Sequence, residues 1–193
     1  GILTGTSYAL ESGTISAKLG GAGATLTKTG AGTATLSGTN TYTGATNVNA
    51  GTLRVDGSIA LSNLTTVQTS GTLSGSGTTG NLMIANGGTL SPGSGPGTLT
   101  TNGDATYAGG GTYTWEINKA DGTVGTNPGW DFHSVSGVLD IAATAASKFT
   151  IAVTGLTLGN IEGVVSGFNK YASYAWTIAT AASHGTAAVV SGS

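Results

Sequence analysis

One short pattern recurs along this chain at nearly regular intervals, and it constrains the fold more than any other feature. The tripeptide Gly-Thr-Leu or a close variant of it begins at eight glycines, which are Gly13, Gly23, Gly32, Gly51, Gly71, Gly88, Gly97 and Gly111. Successive starts lie 9 to 20 residues apart. A recurring period of this size is typical of stacked repeat architectures, in which each repeat is one structural unit.

The apolar segments between the glycines are short and alternate with small polar residues. Leu53 and Val55, for example, alternate with Thr52 and Arg54. A period of two indicates β-strands with one buried face, and Gly-rich corners between such strands favour a parallel β-solenoid. The dipeptides Asp56-Gly57 and Asn86-Gly87 also suit tight hairpin turns. An antiparallel sandwich or barrel therefore stays open on the pattern alone.

Composition excludes several other classes of protein. Charged residues make up 7% of the chain and there is no cysteine, whereas an ordinary globular domain has about 25% charged residues. A disulfide scaffold and a charge-rich coiled coil are therefore excluded. Six lysines and arginines are too few for a nucleic-acid-binding surface. We find no apolar run long enough for a transmembrane helix, so we expect no membrane insertion by this segment.

The segment from residue 26 to residue 53 reads LTKTGAGTATLSGTNTYTGATNVNAGTL. It resembles the autotransporter-associated β-strand repeat, whose pattern is roughly L-x-K-x-G-x-G-T-L-x-L-S-G-x-N-T-Y-T-G-x-T-x-V-x-x-G-T-L. The match is nearly complete, and the departure is Ala34, where the repeat prefers leucine. The resemblance is good over about residues 20 to 120 and looser beyond them.

This resemblance implies a fold and a location. It implies a right-handed parallel β-helix that is secreted or lies on the surface of a bacterium. The family is defined by its architecture, so the resemblance brings no catalytic residue, cofactor or metal ligand to this chain. Because the chain opens within the repeating pattern at residues 1–4, we expect it to be a mature or excised segment.

The aromatic residues divide the chain into two parts. Ten of the 12 aromatic residues lie at or after Tyr107, and the apolar segments become longer there. We therefore predict a narrow β-solenoid over residues 1–118. A broader, more aromatic β section or cap is predicted over residues 119–193, with longer strands that continue the solenoid.

Four aromatic residues are candidates for stacking against sugar rings. Tyr113 and Trp115 share one face of a strand at a spacing of two, and so do Tyr174 and Trp176. Aromatic side chains more often fill a core, so sugar binding is the minor interpretation.

The charged residues offer no strong catalytic or metal-binding pattern. A glycosidase needs two carboxylates across a cleft. Asp131 and Asp140 could form such a pair, but so could many other pairs among the acidic residues. Arg54 and Asp56 suggest a local ion pair at the surface. Residues 121–131 contain oxygen donors for calcium, but a turn is the preferred interpretation. His133 and His184 lack cysteine partners for a structural zinc site.

These observations favour a non-catalytic structural module that forms a rigid stalk or a self-assembling surface fibre. Between Asp56 and Asp104, 47 consecutive residues carry no charge, so charged guards against edge-to-edge pairing are missing there. We expect self-association through the solenoid ends or an exposed strand, in which the segment 187–190 would take part. The alternatives are an adhesin module that binds a carbohydrate or a surface, and a polysaccharide-degrading enzyme on a β-helix.

Overall fold

A computed structural model describes residues 1–184, and all regular secondary structure in this range is β-strand. Residues 1–184 form 24 strands, which are arranged in four sheets. The largest two sheets run the length of the molecule.

The eight-stranded sheet contains one strand from each successive coil. Its members are β2 (Ser7–Leu10), β5 (Thr25–Lys28), β7 (Thr46–Val48), β10 (Thr65–Val67), β13 (Leu82–Ile84), β16 (Ala105–Tyr107), β21 (Val138–Asp140) and β24 (Ser183–His184).

The nine-stranded sheet follows it in each coil. Its members are β3 (Gly13–Ile15), β6 (Thr33–Leu36), β8 (Gly51–Val55), β11 (Gly71–Gly75), β14 (Thr89–Pro92), β17 (Thr112–Ile117), β18 (Thr123–Val124), β19 (Gly129–Trp130) and β22 (Thr150–Gly155).

Two smaller sheets complete the wall. The five-stranded sheet comprises β9 (Ser58–Ile59), β12 (Thr78–Thr79), β15 (Thr98–Thr101), β20 (Phe132–Val135) and β23 (Ala179–Thr180). The two-stranded sheet pairs β1 (Ile2–Thr4) with β4 (Lys18–Gly20).

The chain visits the eight-stranded, nine-stranded and five-stranded sheets in turn and then begins the next coil. Strand β10 accordingly pairs in parallel with β7 and β13, which lie three strands away along the chain. Between Gly51 and Gly71, which pair directly, one coil takes 20 residues. The predicted parallel β-helix is confirmed. Eight strands at a spacing of about 4.8 Å give a length of about 34 Å along the axis.

The hairpin interpretation of the two glycine turns is wrong. Asp56-Gly57 joins β8 to β9 and Asn86-Gly87 joins β13 to β14, and each pair of strands belongs to different sheets. The φ of Gly87 is 73°, a left-handed conformation that glycine adopts without steric cost. These dipeptides therefore form corners of the coil, because the chain must turn there without folding back on itself.

The core is a set of side-chain rows that run along the axis. Leu53, Leu73, Leu90 and Tyr113 occupy matching positions on β8, β11, β14 and β17, and each is fully buried. The threonines that precede them, such as Thr52, Thr72 and Thr89, face outward, so the alternation read from the sequence is the alternation of the wall. Each coil thus covers the apolar face of its neighbour.

The strands after residue 118 continue the same three sheets. Strand β22 pairs with β17 along six residues, β20 pairs with β15, and β21 pairs with β16. Strands β18 and β19 form a short insertion, and β19 makes an antiparallel pair with β17. The segment 163–168 forms one parallel bridge, between Ser166 and Lys119. The division of the chain at residue 118 stays a prediction.

Candidate functional site

The repeat segment supplies the polar side chains that close the corners of the coils. Lys28 is fully buried, and its Nζ donates hydrogen bonds to the carbonyl oxygens of Thr29, Gly30 and Ala50 at 2.6, 2.8 and 3.0 Å. Ala50 belongs to the following coil, so one side chain joins two coils. Burial lowers the pKa of Lys28, and the three carbonyl dipoles take the place of water around the ammonium group.

Asn40 has a similar function at another corner. Its Oδ1 accepts a hydrogen bond from the N–H of Leu19 at 2.9 Å, and its Nδ2 donates to the carbonyl oxygens of Gly38 and Ser58, each at 3.0 Å. Leu19 lies in the preceding coil and Ser58 in the following one. The amide therefore joins three coils and satisfies backbone groups that the strands leave unpaired.

Tyr42 begins a buried chain of hydroxyl groups. Its hydroxyl lies 2.7 Å from Thr46 Oγ1, which lies 2.9 Å from Ser62 Oγ. Ser62 in turn donates to the carbonyl oxygen of Gly44 at 3.0 Å. Burial raises the pKa of Tyr42 to about 12, so the phenol stays neutral. Lys28, Asn40 and Tyr42 therefore stabilise the coil as a unit of the stack.

The outer surface of the nine-stranded sheet carries an unbroken row of threonines. Six of them pair in register from one strand to the next: Thr33, Thr52, Thr72, Thr89, Thr112 and Thr150. The charged residues on this sheet include Arg54, whose Nε donates to Asp56 at 2.7 Å. The predicted ion pair is thus present, and it lies on a partly exposed surface where its contribution is small.

The structure separates the four aromatic candidates into a buried pair and a half-exposed pair. Tyr113 and Trp115 are 1% and 3% exposed, because alternation on β17 turns both into the core. They cannot contact a sugar at the surface. Tyr174 and Trp176 are half-buried, so the predicted sugar stacking reduces to these two residues and stays a prediction.

The half-exposed pair belongs to an aromatic stack that rises from the core. Trp176 contacts Trp115 with ring centroids 5.7 Å apart, and it stacks on Tyr174 at 4.9 Å with an interplanar angle of 9°. Tyr174 stacks on Phe168 at 5.4 Å. Both faces of the Tyr174 ring are therefore occupied, and the ring with an outer face towards solvent is Phe168, which is 52% exposed.

An apolar cavity of about 400 Å³ lies beside this stack. Residues of β17 and β22 and of the segment that follows them form its wall: Trp115, Ile117, Val153, Gly155, Val164, Val165, Phe168 and Trp176. The lining offers hydrophobic contact and few polar groups. The cavity lies at the open end of the hydrophobic core, beyond the last complete coil of the described residues.

The sequence pairing of Asp131 with Asp140 is not the one that the fold makes. Asp140 lies on β21 opposite Thr106. Asp131 instead contacts Glu116: its N–H donates to the Glu116 carbonyl oxygen at 2.9 Å, and its Oδ2 accepts from the Glu116 N–H at 3.0 Å. Sequence reasoning missed Glu116, because nothing in the sequence shows that β17 and the start of β20 are neighbours.

The oxygen donors of residues 121–131 do not converge on one point. Asp121 pairs with Lys119 at 3.7 Å, and Asn127 Oδ1 accepts from Asn118 Nδ2 at 2.7 Å. Asp131 is fully buried and bound to backbone N–H groups. Among residues 1–184, no cluster of three or more His, Asp or Glu side chains is placed to hold a metal ion.

His133 is an internal packing residue. Its Nδ1 lies 2.6 Å from the Tyr107 hydroxyl and its Nε2 lies 2.9 Å from Thr101 Oγ1. The imidazole is fully buried, and burial lowers its pKa to about 3. It is therefore neutral at physiological pH, and both ring nitrogens already have partners. His184 lies on β24.

No helix that could cross a membrane occurs in the part of the chain that the structure describes.

Comparison with known proteins agrees with the geometry of the coils. Residues 26–55 match the family described as passenger-associated-transport-repeat, and these residues include Lys28, Asn40 and Tyr42. Over 92 residues the chain is 50% identical to an extracellular serine protease of Serratia marcescens; the match covers 48% of this chain and 9% of the protease. Over 83 residues it is 45% identical to the adhesin BmaC autotransporter of Brucella suis biovar 1 (strain 1330), covering 42% of this chain and 2% of the adhesin.

The chain thus spans less than a tenth of the length of either relative. The shared feature is the stacked repeat, and both relatives are bacterial proteins whose names place them outside the cell or among the autotransporters. The chain is secreted or lies on the bacterial cell surface, and it is a repeat protein of the autotransporter passenger type, with a passenger-associated-transport repeat at residues 26–55.

Proposed function

We propose that this chain is a non-catalytic structural module that forms a rigid stalk within an extracellular passenger. The observation that carries the proposal is the register of the stack. Leu53, Leu73 and Leu90 lie directly above one another, and the backbone hydrogen bonds between their strands run along the axis. Bending the stack would break several of these parallel rows at once, which is why a solenoid resists deformation.

The outer faces support the same function. An enzyme of the β-helix type needs two carboxylates across a groove. On the nine-stranded sheet, successive coils present the threonine row instead. The two acidic residues that are in contact, Glu116 and Asp131, bind backbone N–H groups through three of their carboxyl oxygens, so they are engaged in holding the chain together.

The proposal is tested by lengthening the stack. A second copy of residues 51–70 would add one coil, because Gly51 and Gly71 pair directly. We expect small-angle X-ray scattering to show a particle longer by about 5 Å, with protease resistance retained. Loss of β-structure on this insertion would contradict a modular stalk. Release of reducing sugar from a polysaccharide panel, lost on Glu116→Gln substitution, would contradict a non-catalytic module.

We further propose that the module self-associates through sheet edges. Among residues 1–184, β22 has β17 as its one strand partner, and β1 pairs with β4 alone. Exposed apolar side chains lie at both places, with Val153 67% and Ile2 62% exposed. An uncovered edge beside an apolar surface is a template for another strand. The segment 187–190, which the sequence suggested for this contact, lies outside the described residues.

Light scattering after size-exclusion chromatography tests this association. We expect oligomers at high micromolar concentration that disappear when residues 1–10 are deleted. The substitution Val153→Asp is a second variant, since it charges the other edge without shortening the chain. A protein that is monomeric at all concentrations, with and without these changes, would rule out self-association.

An adhesin module is the second candidate function. The half-exposed stack of Tyr174 and Trp176 favours it, and one relative is named as an adhesin. A glycan array would test it, with Phe168→Ala as the variant because Phe168 offers the free ring face. The matched control is Phe132→Ala, on β20 and outside the stack. Binding that Phe168→Ala removes and Phe132→Ala preserves would support the adhesin function, whereas a blank array would count against it.

A further inference from the structure

Two corners of the coil contain the dipeptide Asn-Gly, and the structure places them in different surroundings. Asn86-Gly87 lies between β13 and β14, and Asn102-Gly103 lies between β15 and β16. The side chains of Asn86 and Asn102 are both exposed. Asparagine is a chemically labile residue, and it loses its side-chain amide most readily before glycine, because glycine has no side chain to hinder the approach of its nitrogen. The two corners can therefore be compared as reactive sites.

The attacking group in this reaction is the N–H of the glycine, and at Gly87 the neighbouring coil holds it. The N–H of Gly87 donates a hydrogen bond to the Gly110 carbonyl oxygen of the following coil at 2.9 Å. The carbonyl oxygen of Asn86 accepts one from Thr69 Oγ1 of the preceding coil, also at 2.9 Å. A nitrogen in a hydrogen bond must leave its acceptor before it can attack. Contacts on both sides therefore protect this dipeptide.

The second dipeptide lacks this protection. The N–H of Gly103 has no hydrogen-bond acceptor among residues 1–184. Ser136 Oγ donates a long hydrogen bond of 3.4 Å to Asn102 Oδ1, and a donor at this oxygen favours the negative charge that forms on it during attack at Cγ. A Cβ atom at residue 103 would collide with Asn81 Oδ1, and the φ of Gly103 is 147°, so the corner requires glycine there.

The corner with Asn102 also fits closely against the following coil. The carbonyl oxygen of Gly103 accepts a hydrogen bond from the N–H of Gly137 at 2.9 Å. The Oδ1 of Asp104 accepts one from the N–H of Val138 at 2.8 Å. Both contacts depend on the length of main chain between β15 and β16. An additional atom in this path would move Gly103 and Asp104 away from their donors.

We propose that Asn102 is a site of spontaneous deamidation, at which isoaspartate forms and releases this corner from the following coil. The Gly103 nitrogen loses its proton to hydroxide and forms a bond to Asn102 Cγ. The side-chain nitrogen takes up a proton and leaves as ammonia. The cyclic imide that results takes up water, which opens it at either of its two carbonyl groups.

The two directions of ring opening give different products. One restores the main chain and leaves aspartate at residue 102. The other gives isoaspartate, in which the main chain runs through the former side chain and is longer by one carbon atom. Both products add a negative charge beside Asp104, and isoaspartate alone changes the length of the corner.

Mass spectrometry of the whole chain tests the site. The protein is kept in mildly alkaline buffer, where the glycine nitrogen loses its proton more readily, and is then digested with pepsin in acid, which stops the reaction. We expect Asn102 to react about fivefold or more faster than Asn86, because the hydrogen bond from Gly87 must first be broken. Electron-transfer fragmentation distinguishes isoaspartate from aspartate, and methylation by a protein isoaspartyl methyltransferase counts isoaspartate independently.

The unfolded chain is the control for the intrinsic reactivity of the two dipeptides. In guanidinium chloride both should react at similar rates, since the Gly110 carbonyl oxygen no longer holds Gly87. Asn102→Gln should abolish most of the methylation of the folded protein, because the longer side chain forms its ring slowly, and Asn86→Gln is the matched control that should preserve it. Equal rates at the two sites in the folded protein, or an intact Asn102 under conditions in which the unfolded chain reacts, would overturn the proposal.

Amide hydrogen exchange tests the release of the corner. In protein that contains isoaspartate, we expect the N–H groups of Gly137 and Val138 to exchange about tenfold or more faster. The N–H of Gly88, which donates to the Ala85 carbonyl oxygen, is the internal reference and should not change. Asn102→Asp adds the charge without the extra carbon and should keep Gly137 protected. Unchanged exchange at Gly137 after conversion, or an equal loss of protection in Asn102→Asp, would contradict release by isoaspartate.

Discussion

Thr46 and Thr65 lie directly opposite each other on neighbouring strands, and both are fully buried. Thr46 Oγ1 contacts the hydroxyls of Tyr42 and Ser62, whereas Thr65 Oγ1 has no hydrogen-bond partner within residues 1–184. The strands β7 and β10 therefore each place a threonine in the interior, and its hydroxyl group is hydrogen-bonded in β7 but has no such partner in β10.

Replacing each of these threonines by valine gives opposite predictions. A buried hydroxyl without a partner costs about 1–3 kcal/mol of desolvation, so Thr65→Val should raise the free energy of unfolding by about 1 kcal/mol. Thr46→Val removes a shared partner of Tyr42 and Ser62 and should lower it by about 1–2 kcal/mol. Urea unfolding of both variants is the measurement. Equal effects of the same sign would show that the hydrogen-bond pattern does not determine the outcome.

Lys28 should be more important for stability than its charge suggests. Lys28→Met keeps most of the side-chain volume but leaves the carbonyl oxygens of Gly30 and Ala50 without their donor. We expect a loss of about 2–3 kcal/mol in the free energy of unfolding. Lys18→Met is the control, since Lys18 is half-buried on β4 and no hydrogen bond from its ammonium group occurs within the described range. A loss of similar size in both variants would contradict the corner function of Lys28.

Alanine substitutions at Gly51 and Gly23 would separate the cost of backbone strain from the cost of a steric collision. Both adopt left-handed conformations, with φ of 62° and 70°. A Cβ atom at Gly51 would collide with the Gly30 carbonyl oxygen of the preceding coil, whereas nothing lies near a Cβ atom at Gly23. Gly23→Ala should cost about 1 kcal/mol from strain, and Gly51→Ala about 3 kcal/mol or more. Thermal unfolding compares the two, and equal costs would show that the coils move apart easily.

The buried neutral His133 predicts a loss of stability in acid. Its pKa is about 3 in the folded protein and about 6.5 when exposed. The unfolded state therefore binds the proton first as the pH falls, so the contribution is complete above about pH 6.5 and declines towards about pH 3. The slope is about 1.4 kcal/mol per pH unit. His133→Gln should remove this slope in urea unfolding across that range.

The buried carboxyl group of Asp131 acts in the opposite direction over part of this range. Because the pKa of Asp131 is raised to about 8, its stabilising contribution is complete below about pH 4 and declines as the pH rises. Between about pH 4 and about pH 6.5 the two slopes partly cancel. A free energy of unfolding that changes steeply with pH through this interval, in either direction, would show that His133 or Asp131 is ionised in the folded state.

The repeat spacing favoured the observed fold, since Gly51 and Gly71 mark equivalent corners one coil apart. It left a sandwich or barrel open, and the resemblance of residues 26–53 to a known repeat decided for the parallel β-helix. The functions of Lys28 and Asn40 could not be predicted, because the sequence does not show which carbonyl groups of the next coil lie nearby. For Tyr113 and Trp115, a spacing of two predicted a shared face but not whether that face is the inner one. The Glu116–Asp131 pair depends on an insertion whose path only the structure shows.

The in-register pairing of Gly51 with Gly71 has an evolutionary consequence. A duplication or deletion of one whole coil in the gene, such as the 20 residues from Gly51 to Gly71, brings leucines and threonines to equivalent neighbours, whereas the gain or loss of part of a coil misaligns the wall. Lineages can therefore alter the reach of such a protein in discrete increments of about 4.8 Å, and recombination between similar units becomes a mechanism for adjusting length without redesigning the interior.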